Sequence, residues 1–300
     1  MEETLSIAWW NTGVSPAKKR DRSTQEELEL AFALIAEILI KHDLDIFCLG
    51  EMSPSDVTSI EWNFAGNGYY IYDGTYSEGR IKHDMCVLIK TSKLTYLDSK
   101  SITEQTILGK IRAGQELKIA HNISGDVIYL YISHWPSRSN DTNQGMPKRY
   151  ELGKALRGAI DRCIEEKSGK YFILIGDYND DPYDESLTYA LGATRDRALA
   201  ISNNSFFYNP FWNFMGGTIN FPLEGHEICT YGTYFYKKGG VTRWHTFDQI
   251  IFSSSFLTGD KWSLVEDEVK VVNDSNLRTL VINAKTNFDH LPVVAIVKRG

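Results

Sequence analysis

Two short apolar runs in this sequence adjoin polar side chains in places that hydrophobic patterning does not explain. The run at residues 173–175 is followed at once by Asp177 and Asn179, and Asp289 and His290 stand directly before a second run. Apolar runs of this length are typical of buried strands, whose core cannot hold unpaired charges. The chain must therefore fold so that strand ends meet at a polar edge.

Other polar side chains hold the same position relative to apolar runs. Asn11, Glu51 and His134 follow such runs, whereas Asp248 precedes one. Strands that end in these groups and strands that begin with them meet at one edge when they run antiparallel. The groups expected at this edge are Asn11, Glu51, His134, Asp177, Asp248, Asp289 and His290.

The apolar periodicity predicts a mixed fold. Helical spacing extends over residues 24–42, where Ser23-Thr24 followed by Glu26-Glu27 predicts a capping box, and over residues 148–166. Many strands and few long helices favour two packed sheets flanked by helices. No linker interrupts the sequence, so we expect one domain over residues 1–300. The predicted strands are residues 5–10, 45–50, 69–72, 85–90, 116–121, 127–133, 171–175, 248–253 and 291–298, with connections at Gly109, Gly114 and Gly125.

Composition narrows the classes of function. A net charge of -7 argues against a protein that coats polyphosphates nonspecifically, although a bound cation reverses the local sign. The cysteines, Cys48, Cys86, Cys163 and Cys229, form no CxxC pair, which favours buried free thiols in a reducing compartment. No signal sequence or long apolar run is present, so we expect a cytoplasmic protein without membrane contact.

The residue types at the predicted edge suit a hard cation. Glu51, Asp177 and Asp289 supply carboxylate oxygens, and Asn11 and Asn179 supply amide groups. Magnesium prefers such oxygen ligands and manganese accepts them, whereas zinc would recruit cysteine or paired histidine. The expected cofactor is therefore Mg²⁺ (or Mn²⁺).

Six motifs, in order, resemble those of the endonuclease/exonuclease/phosphatase superfamily, which includes pancreatic-type deoxyribonuclease. They are Trp10-Asn11, Leu49-Gly50-Glu51, Ser133-His134, Gly176-Asp177-Tyr178-Asn179, Phe247-Asp248-Gln249-Ile250 and Asp289-His290-Leu291-Pro292. The stretch from His134 to Arg138 is similar to a bacterial-type branch. The resemblance spans nearly the whole chain. It implies an α/β fold: a four-layered α/β sandwich of two packed, mostly antiparallel sheets flanked by helices.

The resemblance also implies roles for the residues near the cation. Glu51 would be the principal metal carboxylate, and Asn11 and Asp289 would complete the metal and water network. Asp177 would orient or deprotonate the attacking water, and Asn179 would hold the phosphate.

Two imidazoles would face the phosphate by the same resemblance. Asp248 would hydrogen-bond His290 and fix its tautomer. His134 would be the second imidazole, and Asp84 would be its acidic partner where the deoxyribonuclease branch has glutamate. Asp84 also fits an ordinary surface position.

Three side chains are candidates for substrate contacts. Arg80 and Arg138 belong to local basic clusters and suit contacts with a phosphate backbone. Trp212 lies in a loop-rich segment and suits stacking on a nucleobase. The alternatives are that both arginines are solvated charges and that Trp212 belongs to the core.

The leading hypothesis is a Mg²⁺-dependent nuclease that acts on DNA, with RNA as a less favoured substrate. The second is a phosphatase or phosphodiesterase for a small or lipid phosphate ester. Lipid-cleaving relatives usually carry membrane-seeking apolar loops, which this sequence lacks. Inositol-phosphatase relatives usually add basic residues near the position of Asn179, where this chain has Asp180 and Asp181. Both differences favour the nuclease. A scaffold without activity would lack a reactive side chain, and none is missing. The oligomeric state is open, with a monomer favoured.

Overall fold

The structure, a computed structural model, describes residues 3–16, 23–78, 81–107, 109–138, 145–216, 218–220, 228–283 and 285–300. The α-helices are α1 (Gln25–Lys41), α2 (Pro54–Phe64), α3 (Gly145–Lys167), α4 (Arg197–Ser202) and α5 (Ser275–Ile282), and a π-helix spans Ser186–Leu191. The strands of the first half are β1 (Glu3–Asn11), β2 (Ile46–Gly50), β3 (Tyr69–Asp73), β4 (Tyr76–Glu78), β5 (Ile81–His83), β6 (Cys86–Lys90), β7 (Leu94–Thr106), β8 (Gly109–His121) and β9 (Val127–His134). The later strands are β10 (Tyr171–Asp177), β11 (Ala193–Thr194), β12 (Phe207–Tyr208), β13 (Thr218–Asn220), β14 (Ile228–Thr230), β15 (Tyr234–Phe235), β16 (Trp244–His245), β17 (Asp248–Ser253), β18 (Trp262–Val271) and β19 (Val293–Arg299).

Two sheets form the centre of the molecule. One has six strands in the order β18-β19-β1-β2-β6-β3, and the other has seven in the order β11-β12-β17-β10-β9-β8-β7. Most neighbouring strands run antiparallel; β1 with β2, β9 with β10 and β11 with β12 are the parallel pairs. Three further two-stranded sheets pair β4 with β5, β13 with β14 and β15 with β16.

Alternating side chains divide the interior into three apolar clusters. Along β1, Ile7 and Trp9 enter the cluster between the sheets, whereas Ala8 and Trp10 enter the cluster under the helices. Residues of α1, α2 and α5 cover the outer face of the six-stranded sheet. Residues of α3 cover the outer face of the seven-stranded sheet. The predicted four-layered sandwich is confirmed, while the single domain over residues 1–300 stays a prediction.

Local sequence signals account for the first helix. Thr24 accepts a hydrogen bond from the backbone of Glu27, whose side chain accepts one from the backbone of Thr24. Ala31, Ile35 and Ile38 then lie on the buried face. The predicted capping box and helix are confirmed, with α1 beginning one residue later than expected.

Several elements were not expected from the apolar pattern. The edge strand β7 is largely polar because it pairs with β8 alone and exposes much of its length. Helix α2 buries few apolar side chains, so the apolar pattern did not predict it. The signals for this helix are its cap at Ser53 and the proline in its first turn, Pro54. The predicted connection at Gly114 is wrong, because this residue lies inside β8. A Cβ at this position would lie 2.4 Å from the Ile132 carbonyl oxygen.

Cys48, Cys86 and Cys163 are buried free thiols, as expected; the side chain of Cys229 lies outside the described residues. Across the described ranges, every helix is too short or too polar to cross a bilayer.

Candidate active site

Strand register brings the predicted polar groups to one edge. Parallel β1 and β2 end side by side at Asn11 and Gly50, one residue before Glu51. Parallel β9 and β10 end together at His134 and Asp177, and antiparallel β17 begins at Asp248, opposite Asp177. The ends of both sheets therefore open into one cleft of about 290 Å³. The predicted residues that line it are Asn11, Glu51, His134, Asp177, Asn179, Asp289 and His290.

Asp248 lies behind the cleft and holds His290. The Nδ1 of His290 donates to Asp248 Oδ2 at 2.7 Å, and Trp9 Nε1 donates to the other oxygen at 2.7 Å. Burial alone would lower the pKa of His290, but Asp248 and Asp177 outweigh it and raise that pKa to about 10. The two carboxylates therefore favour the protonated form of His290, whose Nε2 faces the cleft.

His134 has an equivalent partner in Asp84. The Nδ1 of His134 donates to Asp84 Oδ2 at 2.9 Å, and Arg112 binds both Asp84 Oδ1 (3.3 Å) and the His134 carbonyl (2.8 Å). Burial opposes the charged forms of both groups, yet their mutual attraction raises the pKa of His134 to about 9 and lowers that of Asp84. The structure thus joins Asp84 to the cleft through His134.

Asp177 is the centre of the polar network. Its Oδ2 accepts from the side-chain amides of Asn11 and Asn179, each at 3.1 Å, and its Oδ1 accepts from the backbone of Asn179 at 2.8 Å. The Nε2 atoms of His134 and His290 lie 3.8 and 3.7 Å from the same Oδ2. Two imidazoles therefore converge on one carboxylate oxygen.

Glu51 and Asp289 provide the least neutralised carboxylates of the cleft. Burial is the main cause that raises the pKa of Glu51, to about 7, and repulsion from Asp289 and Asp84 adds to it. Burial likewise raises the pKa of Asp289. A divalent cation would remove this cost, so the carboxylate set fits the expected cofactor.

A second set of side chains also has the spacing of metal ligands. Asp177, Asp248 and His290 offer ligand atoms within 4.8 Å of one another. Both oxygens of Asp248 already accept hydrogen bonds, from Trp9 and His290, and its side chain is fully buried. An ion there would have to break these bonds, whereas Glu51 and Asp289 face open space.

The candidate substrate contacts lie elsewhere. Arg138 is bound to Asp180 and Asp184 and is absent from the lining of the cleft. Trp212 packs edge-on against Tyr183 and likewise does not line the cleft. Neither side chain lines the described cleft, so their substrate contacts stay a prediction. Arg80 lies outside the described residues.

Sequence reasoning did not single out several residues that lie in or behind the site. Ser137, Tyr234 and Lys237 line the cleft, and the Tyr234 ring lies 4.6 Å from that of His290. Lys237 donates to the Phe288 carbonyl at 3.0 Å, just before Asp289. Trp9 supports Asp248 from the core. The glycine at position 50 is related to Trp9: a Cβ there would lie 2.7 Å from the indole, so the packed indole requires glycine.

Comparison with known proteins decides the family. The model of the Endonuclease/Exonuclease/phosphatase family matches residues 61–289, more than half of the chain. The chain belongs to this family. Members of the endonuclease/exonuclease/phosphatase family are metal-dependent phosphoric ester hydrolases. No curated protein sequence matches the chain.

Solved structures share the fold over full length. The human Nocturnin catalytic domain with bound sulfate is 14% identical, with a TM-score of 0.65 and coverage of 100% of this chain and 98% of that one. D. rerio TDP2 complexed with a single-strand DNA product is 16% identical (TM-score 0.58, coverage 98% and 99%). The mannosyl-6-phosphatase of Bacteroides thetaiotaomicron is 15% identical (TM-score 0.61, coverage 98% and 99%). At such identities the likeness shows the fold alone.

Proposed function

We propose that this protein is a divalent-metal-dependent phosphodiesterase that cleaves nucleic acid, with DNA as its leading substrate. The observation that carries the proposal is the convergence of His134 and His290 on Asp177, each imidazole backed by its own carboxylate. A phosphate in the cleft would meet two cationic N–H donors beside a carboxylate that accepts protons.

Glu51 and Asp289 would hold the cation, with Asn11 beside them. Mg²⁺ or Mn²⁺ bound there would stabilise negative charge on the phosphoryl oxygens and favour ionisation of water. The neighbouring Asn11 amide donates to Asp177, so Asn11 also fixes the direction of that carboxylate.

Asp177 would take a proton from the attacking water as the new oxygen–phosphorus bond forms in line with the bond that breaks. His134 and His290 would donate hydrogen bonds to the phosphoryl oxygens as their charge grows. Asn179 would hold the phosphate beside them. The leaving oxygen would depart with a proton from the solvent or from an imidazolium.

The charge of the cleft favours a diester over a monoester. Glu51, Asp177 and Asp289 line it, and beyond the two imidazoles and the cation that the carboxylates would hold, Lys237 is the one lysine or arginine among its described lining residues. A diester carries a single negative charge, whereas a monoester dianion needs more cationic contacts. An internal linkage of a nucleic acid therefore suits the cleft better than a terminal phosphate.

A small phosphate ester is the second candidate function. The cleft holds about 290 Å³, and the two predicted polymer contacts that the structure describes, Arg138 and Trp212, lie outside its lining. The net charge of -7 also weakens nonspecific attraction of a long polyanion.

A substrate panel separates the two functions. Supercoiled plasmid, linear duplex DNA, single-stranded DNA and RNA would be incubated with Mg²⁺, Mn²⁺ or chelator, alongside bis(p-nitrophenyl) phosphate and p-nitrophenyl phosphate. We expect metal-dependent cleavage of a nucleic acid that His290→Ala loses, which also excludes a contaminating nuclease. Inert nucleic acids with hydrolysis of small esters would replace the first function by the second.

A further inference from the structure

Arg138 lies beside the catalytic cleft in a cage of carboxylates. Its Nη2 is 3.0 Å from Asp180 Oδ1 and 3.6 Å from Asp181 Oδ2, and it also contacts Asp184. Arg149, itself almost fully buried, donates to the same Asp180 oxygen at 2.7 Å. The charge of the Arg138 guanidinium is therefore already neutralised by protein groups.

The same guanidinium contacts the backbone that carries Asn179. Arg138 Nε donates to the Asn179 carbonyl at 2.8 Å. Asn179 has a left-handed backbone (φ 52°), a conformation that few residues other than glycine adopt, asparagine among them. Its side-chain amide binds Asp177 and the Trp135 carbonyl. Arg138 thus holds one side of Asn179, whose other contacts reach Asp177.

Arg138 also touches the second half of the site. Its guanidinium carbon lies 4.7 Å from the ring centre of Phe247, the residue before Asp248. The Phe247 carbonyl accepts from the backbone of Tyr178 at 3.0 Å. One side chain therefore joins the loop after Asp177 to the start of the strand that carries the partner of His290.

We propose that Arg138 is a positioning residue that fixes Asn179 and Asp177 against the Asp248 strand, and not a phosphate ligand. Three surrounding carboxylates disfavour a phosphate at its guanidinium. The planar fork matters because Nε and Nη2 bind different partners at once, which an ammonium cannot reproduce. Only the expected effect of Arg138 substitutions on turnover rests on the proposed function.

The first measurement follows the backbone and needs no activity. In Arg138→Lys, we expect the amide hydrogens of Tyr178 and Asn179 to exchange with deuterium at least tenfold faster, at an unchanged melting temperature. Arg157→Lys is the matched control, because Arg157 binds Asp161 and lies over the Phe207 ring at 5.1 Å, away from the cleft. Wild-type exchange at both amides in Arg138→Lys would overturn the proposal.

The second measurement separates positioning from phosphate binding. With the substrate that wild type cleaves best, Arg138→Lys should lower kcat about tenfold or more and leave KM within about twofold. A phosphate ligand would instead raise KM in Arg138→Gln and reduce the slope of log affinity against log salt by about 1; that result would also overturn the proposal.

Loss of folding is addressed by a charge-balanced variant. Arg138→Gln alone leaves an excess of negative charge around position 138. The double variant Arg138→Gln with Asp184→Asn removes one positive and one negative charge together. This double variant should show the same fast amide exchange and low kcat as Arg138→Lys. If wild type cleaves no ester at all, the proposed function fails, while the exchange measurement still decides the role of Arg138.

Discussion

Asp177 and Asp248 are register partners across strands β10 and β17, and both face His290. The Nδ1 of His290 is 2.7 Å from Asp248, and its Nε2 is 3.7 Å from Asp177. The imidazole thus lies between two carboxylates, one in the core and one in the cleft. This arrangement favours the charged ring and directs one N–H into the cleft.

Replacing Asp177 by asparagine should remove the proton acceptor while keeping the shape of the network. We expect turnover to fall by about 10² to 10⁴ with an unchanged fold, because a positioned acid or base contributes about that factor. Circular dichroism and initial rates would check this. Asp98→Asn, on the exposed edge strand, is the control. Near-normal turnover would remove Asp177 from the mechanism.

Trp9→Phe should weaken the site from the core. The variant keeps an aromatic ring and loses the N–H that binds Asp248 at 2.7 Å. A hydrogen bond to a charged group contributes about 1.5 to 3 kcal/mol, so we expect a lower melting temperature and a kcat reduced about tenfold. Trp262→Phe is the control, because its indole binds Asp126 far from the cleft. Equal loss of kcat in both variants would refute a specific role.

Asp84→Asn should move the alkaline limb of the pH–rate profile. Burial lowers the pKa of His134, but Asp84 raises it to about 9, so the imidazolium persists above neutral pH in wild type. Without the carboxylate, that pKa falls toward the ordinary value of 6.5, and the charged form is lost at lower pH. Turnover of the variant should therefore decline from a clearly lower pH. An unmoved limb would show that the charge of His134 does not control the rate.

Metal binding should depend on the ionisation of Glu51. Burial first, and then its carboxylate neighbours, raise the pKa of Glu51 to about 7, so below this pH a proton competes with the cation. Apparent Mn²⁺ affinity should rise with pH up to about 7 and then level off, with proton release on binding. Titration calorimetry in two buffers would measure both. Glu51→Gln should bind weakly without this pH dependence, whereas exposed Glu61→Gln should match wild type.

Asp126→Asn should lower stability at neutral pH. Burial opposes ionisation of Asp126, but Lys261, Ser124 and Arg299 lower its pKa below the ordinary value of 3.8. The folded state thus favours the carboxylate, a stabilisation that is complete above that value and lost as pH falls toward the lowered pKa. We expect a loss of about 1 kcal/mol at pH 7, discounted for solvent screening, which shrinks below pH of about 4. Urea unfolding of wild type and variant at pH 7 and below pH of about 4 would measure this loss. A difference in unfolding free energy that stays the same at both pH values would contradict the linkage.

The motif positions were readable because each stands at the end of an apolar run. Asn11, His134 and Asp177 end strands and Glu51 directly follows one, so their common edge followed from strand direction. The weakly patterned elements, such as β7, escaped because an edge strand buries few side chains.

The roles of Arg138 and Trp9 depended on contacts between residues distant in sequence. A basic residue after a histidine motif suggests a phosphate ligand, and only the packing shows three carboxylates around Arg138. Trp9 meets Asp248 across 239 positions. The sequence by itself determined which chemical groups are present and that strand ends bring them together, since period and polarity are local properties. The tertiary structure decided which partner neutralises each charge, because that depends on distances that no local pattern contains.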